Sequence, residues 1–167
     1  GGLANYLGRI TAALAAAGHE VHVVTRAGEH GTVDHHGVTV HRVVPLWDRR
    51  MVIDKVDRLV PRRLYNPYQD LKAAWSIGRY LRRLHGRRKF DLIQVANVMG
   101  VGLFLGNRLR VPIVTRMSSY RPEWDTLAGV TPDLGVKARW KMEEWSVRGR
   151  RFVFAPTHYV ADRVARA

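Results

Sequence analysis

The sequence predicts an α/β protein with a doubly wound, mostly parallel sheet and helices on both faces. Short β-branched runs and amphipathic stretches alternate along the chain in the order α-β-β-α-β-α-β-α-β-α. Strands that alternate with helices pair in parallel, with the crossovers packed on the sheet. The apolar fraction, 46% beside 25% charged residues, suits a packed core rather than a disordered chain. A length of 167 residues suits one domain.

Leu3, Leu7, Ile10, Leu14 and Ala17 recur at spacings of four and three and mark an amphipathic helix, with Gly18 as its stop. Val21-His22-Val23-Val24-Thr25 is a β-branched run that predicts a buried strand. Residues 28–37 are turn-rich, and 38–44 alternate as a second strand closed by Pro45. Residues 46–67, with Pro61, Pro67 and scattered charge, read as a loop with one helical turn. Leu71, Ala74, Ile77, Leu81 and Leu84 define the next helix, with Arg79, Arg82, Arg83 and Arg87 off that face. A strand at 91–95 follows, then a short apolar helix over 100–110 and a strand at 111–115. A loop with Ser118, Ser119 and Pro122 leads to a helix over 136–147. The strand 152–155 precedes a terminal helix with Thr157 as its N-cap.

Composition excludes several classes of function. The absence of cysteine removes disulfide scaffolds, thiolate zinc sites and cysteine nucleophiles. No apolar run approaches the ~18 residues of a membrane-spanning helix, and no signal peptide is visible. The chain opens on Gly1-Gly2 directly into one helical pattern and closes inside another, which leads us to expect a fragment. The net charge is +14, and it is local. Residues 42–90 hold fourteen Lys and Arg against four Asp, and residues 137–167 hold eight basic against three acidic residues. The 42–90 patch mixes Trp47, Tyr65, Tyr68, Trp75 and Tyr80 with its arginines. Three readings follow, in order of preference. The patch is a solvated helix face whose long stems cover apolar surface, a contact with an anionic membrane, or a nucleic-acid surface.

In open α/β sheets, ligands lie beyond the carboxyl ends of the strands. Arg116, Ser118, Ser119 and Tyr120 follow one predicted strand and Asn97 another, so their hydroxyls, amide and guanidinium are candidates to hold a phosphate or a sugar. The alternative is a capped turn with exposed arginines. Gly1-Gly2 before a helix resembles a phosphate cradle, where unpaired backbone N–H groups and the helix dipole meet an anion. The GxGxxG and GxxxxGK[ST] patterns are absent, which weakens NAD and P-loop readings. His30, His35, His36 and His41 lack a metal-ligand spacing, so no metal is expected, and His19 and His22 read as structural.

Gly1-Gly2-Leu3-Ala4-Asn5-Tyr6-Leu7 and the stretch from Leu14 through Gly18-His19-Glu20-Val21 to Thr25 resemble the opening of family-4 glycosyltransferases of the GT-B fold. Asp91-Leu92-Ile93, Val111-Pro112-Ile113-Val114 and Phe154-Ala155-Pro156-Thr157 also fit, so the resemblance covers nearly the whole chain. It implies that residues 1–167 are a single Rossmann-like N-terminal, acceptor-side domain, with a first strand upstream and a C-terminal domain downstream. It implies transfer of a sugar from a nucleotide-sugar to a glycan, lipid-linked or small-molecule acceptor with retention of configuration, by a hexosyltransferase inactive as this fragment. The nucleotide-sugar is then a substrate, and no cofactor is implied. Gly1 and Gly2 would approach the donor diphosphate and sugar, while Asn97, Arg116, Ser118, Ser119, Tyr120 and Thr157 are the acceptor or cleft candidates. The sequence departs from the family at Gln94 and Ala96, where many members carry His-x-His, and at Ser118, where many carry a His. No catalytic residue is assigned. A cytoplasmic protein is expected, peripheral at the inner membrane face through residues 42–90. The rival reading is a non-catalytic basic module binding nucleic acid, a partner the glycosyltransferase reading does not expect.

Overall fold

The computed structural model describes residues 2–45, 57–106 and 109–165. The chain divides into two compact units, Gly1–Pro45 and Leu46–Ala167. Residues 46–56 of the expected 46–67 loop, Trp47 among them, and residues 107–108 of the expected 100–110 helix lie outside the described residues.

The first unit opens with helix α1, Gly2–Ala16. The predicted stop is where the sequence places it. Gly18 takes a φ of +85°, its N–H bonds to Ala15 O at 3.0 Å, and His19 N–H bonds to Leu14 O at 3.1 Å. These two bonds close the last turn through a left-handed glycine. None of the α1 residues is buried. Strand β1, Val21–Arg26, pairs in parallel with β3, Val38–Val43. The turn-rich segment before β3 contains strand β2, Gly31–His35, antiparallel to β3. This corrects the expected loop over 28–37. His36 (φ 52°) and Gly37 (φ 76°) form the two-residue turn of a hairpin, whose left-handed pair matches strand twist. All of β2 is exposed, so no apolar alternation announces it. His22 Nδ1 lies 2.9 Å from His41 Nε2, and its Nε2 lies 2.9 Å from Glu20 Oε1. The structural role expected of His22 is therefore a bond between β1 and β3.

In the second unit, residues 57–59 form a helical turn and helix α2 runs Arg62–Arg87. The helix includes Pro67, which the sequence placed in a loop. A proline in the second turn removes only the bond to the carbonyl four residues earlier, Arg63. That carbonyl faces Gly135, where an added Cβ would collide with Arg63 O. Ala74 and Ile77 are buried as expected and Ala73 is buried beside them, whereas Leu71 is exposed. Strands β4 (Ile93–Ala96), β5 (Ile113–Arg116) and β6 (Phe152–Phe154) form an all-parallel sheet in the order β4-β5-β6. Ile93, Val95, Leu105 and Leu109 make the core, with Leu81, Phe90, Val111 and Ile113 packed around it.

Where the sequence predicts an apolar helix from residue 100, the described residues instead form a 3₁₀ segment, Val98–Phe104. Met99 and Gly100 adopt φ of 58° and 62°, and glycines 100, 102 and 106 give an α-helix little support. The expected loop after β5 contains a short helix α3, Arg121–Leu127, with Pro122 in its first turn. Helix α4 spans Leu134–Val147, capped by Asp133 Oδ1 accepting from Val136 N–H at 2.8 Å. Helix α5, His158–Ala165, follows Thr157, whose Oγ1 accepts from Val160 N–H at 3.3 Å.

Candidate functional site

The carboxyl ends of β4 and β5 lie side by side because the strands are parallel and in register, Ala96 opposite Arg116. Asn97 follows β4 and is 1% exposed. Its Oδ1 accepts from Ser118 N–H at 2.8 Å, and its Nδ2 donates to Ser119 O at 3.1 Å and to Glu143 Oε2 at 3.3 Å. Both N–H groups of the amide and one lone pair therefore hold the chain together. Asn97 positions the loop after β5. Arg116 Nη1 donates to Ser118 Oγ at 2.8 Å, which leaves the hydroxyl proton free to point elsewhere. Ser118, Ser119 and Tyr120 are half-buried.

The group that sequence reasoning missed is Glu143, on α4 and 5% exposed. Its Oε1 accepts from Met99 N–H at 3.0 Å, and Arg121 Nη1 lies 3.6 Å from the same oxygen. Burial pushes its carboxyl above the ordinary range, against the Met99 N–H and the charges of Arg121 and Arg139. Met99 is a non-glycine residue in the left-handed region, a conformation that costs about 1–3 kcal/mol and persists where the surroundings hold it. Glu143 supplies one such hold. A second is the close fit of Gly100, where a Cβ would sit 2.9 Å from Leu103 Cδ1 and 3.1 Å from Met142 O. Glu143 shares a helix face with Gly135, Met142 and Ser146, all buried.

Five of the sequence candidates, Asn97, Arg116, Ser118, Ser119 and Tyr120, thus belong to one stretch of sheet edge. Thr157 is engaged as the cap of α5. Gly2 lies in the first unit, where it starts α1 and lines an open hollow with Asn5, Tyr6 and Arg9. Gly1 falls outside the described residues. Among the described residues no group of three or more His, Asp or Glu side chains is placed to hold a metal ion. No described helix is long and apolar enough to cross a membrane.

The arrangement suits hydrogen bonding to a neutral or anionic polyhydroxyl ligand: hydroxyls and a guanidinium on a loop pinned from beneath. Curated proteins yield no match to the chain. A model of the glycosyl transferase 4-like domain matches residues 1–167. The chain therefore belongs to the glycosyl transferase 4-like domain family, with a Rossmann-like α/β fold.

Proposed function

We propose that this domain supplies the acceptor side of a retaining glycosyltransferase that moves a hexose from a nucleotide-sugar to a glycan, lipid-linked or small-molecule acceptor. The observation that carries the reading is the pinned loop after β5. A buried Asn97–Glu143 pair fixes its backbone, and half-buried Ser118, Ser119, Tyr120 and Arg116 line the strand ends. Such a loop favours binding by preorganisation, since its ordering is completed before the ligand arrives. Gly1 and Gly2 would approach the donor diphosphate, a role that rests on the resemblance of the opening stretch. The protein works in the cytoplasm, in peripheral contact with an anionic membrane through residues 42–90.

Steady-state kinetics on the full-length protein tests this. Ser118→Ala and Arg116→Ala are expected to raise KM for the acceptor about tenfold each, the loss of one hydrogen bond to a charged or polar group, and to leave donor KM unchanged. A shift in donor KM alone would overturn the acceptor-side assignment. Proton NMR of the product is expected to show the anomeric configuration of the donor. Residues 1–167 alone are expected to be inactive.

A further inference from the structure

The basic patch is long, and only part of it is free to meet a partner. Lys72 is buried and paired with Asp57 at 3.0 Å, Arg82 Nη1 donates to Phe104 O at 2.6 Å, and Arg79 lies over Trp75. These side chains serve the fold. The start of α2 differs. Arg58, Leu59, Val60, Pro61, Arg62 and Tyr65 line a shallow concavity there. Arg58, Arg62 and Arg63 are exposed and take no ion-pair partner among the described residues.

Apolar side chains at this end stand open to solvent. Leu59 is 81% exposed, Tyr65 43% and Leu134 58%. Leu134, at the start of α4, lies near this end of α2, since its neighbour Gly135 abuts the Arg63 carbonyl. Nearby acids add little opposing charge. Asp57 is engaged by Lys72 and by Gln69 Nε2 at 3.2 Å, and Asp133 caps α4.

We propose that this end of α2, with Leu134, is a membrane-docking surface. Arg58, Arg62 and Arg63 meet anionic lipid headgroups, and Leu59 and Leu134 enter the acyl boundary. The inference rests on the proposed peripheral contact through residues 42–90 and narrows it to one end. Charge complementarity selects an anionic partner. The leucines select a bilayer over a nucleic acid, because phosphate contacts gain nothing from aliphatic side chains whereas burying them in the headgroup–acyl boundary is favourable. Tyr65 has the amphipathic ring that concentrates at that boundary.

Co-sedimentation of the full-length protein with phosphatidylcholine vesicles, with and without phosphatidylglycerol, is the test. Binding is expected only with the anionic lipid. Replacing Arg58, Arg62 and Arg63 together by Ala is expected to weaken it on the order of a hundredfold, from about fivefold per basic residue. Leu59→Ser with Leu134→Ser should weaken it about tenfold or more, with circular dichroism unchanged. The control is Arg83→Ala with Arg87→Ala and Lys89→Ala, which removes the same charge at the far end of α2, roughly 35 Å away. An equal loss in the control, or leucine variants that bind as well as wild type, would overturn this surface while leaving the wider contact standing. Failure to bind anionic vesicles at all would overturn both. So would tight single-stranded DNA binding that the arginine variant abolishes and the leucine variant leaves intact, if vesicle binding is absent.

Discussion

Glu143 carries more of the site than any residue the sequence singles out. Two donors, the part-buried Met99 N–H and the buried Asn97 Nδ2, end on its carboxylate. Glu143→Ala would leave both unsatisfied, and it is expected to destabilise the protein by about 3 kcal/mol, read as a shift of the denaturant midpoint without a change in slope. Its titration has a definite sign. Burial raises its pKa above the ordinary glutamate value, so the folded state holds the proton more tightly than the unfolded chain. The stabilisation is fully present below about 4.5 and is lost as pH rises through the raised value. Glu143→Gln is therefore expected to flatten that part of the stability–pH profile, and an unchanged slope would place the titration elsewhere. Asp57 runs the other way. Burial would raise its pKa, but hydrogen bonds from Lys72, Tyr68 and Gln69 together with the Lys72 charge hold it below the ordinary value. Its contribution is lost on acidification, so the Glu143→Gln difference curve separates the two. Asn97 and Ser118 were legible in the sequence because they follow β-branched runs. Glu143 was not, because a carboxylate in a helix is usually solvated and only the tertiary fold turns this one inward.

The same division holds among the elements. Helix α1 follows from apolar spacing and an end signal, Gly18, that acts over one turn; the start of α4 is fixed by the Asp133 cap, which its apolar pattern does not announce. The start of α2 does not follow from such signals, because Pro67 argues against a helix locally and is tolerated only this close to its beginning. Strand β2 escaped notice because it is an exposed edge held by a two-residue turn, and α3 because seven residues show no period. The α2–α4 contact gives a sharp test. An alanine methyl at Gly135 would strike a main-chain oxygen, Arg63 O, which cannot rotate away. Gly135→Ala is expected to destabilise by about 3 kcal/mol, the upper part of the overpacking range. Gly8 is the counterpart, mid-helix in α1 with nothing within 4 Å of an added Cβ. Gly8→Ala is expected to stabilise α1 by about 1 kcal/mol through helix propensity. Thermal melts of the two variants should move in opposite directions.

For the molecule as a whole, the charge of +14 was visible from the start, but which cations are free was not. Lys72, Arg82, Arg139 and Arg150 turn toward the fold: Arg139 pairs with Asp70 at 2.7 Å, and Arg150 Nη2 donates to Gly102 O at 2.6 Å. Pairings of this kind join residues far apart in sequence, which local patterns do not encode. Burial is just as uneven. The β4–β5 region holds the buried cluster of Ile93, Val95, Leu105 and Leu109, and Thr115 of β5 is fully buried. In α1, by contrast, no residue is buried and Leu7 and Leu14 stand partly open. Amides open with free energies that track this contrast, from near zero at weakly packed segments to the global value in the core. Hydrogen exchange on residues 1–167 should therefore rank the chain. The β5 amides Ile113–Arg116, paired on both sides, are expected to exchange only through global unfolding. Those of α1 should open at least ~2 kcal/mol more easily, about thirtyfold faster after correction for intrinsic rates. Equal protection in the two peptides would mean that α1 is held by contacts its exposure does not reveal. Faster exchange in α1 that slows in the full-length protein would locate a partner for its apolar face outside these residues.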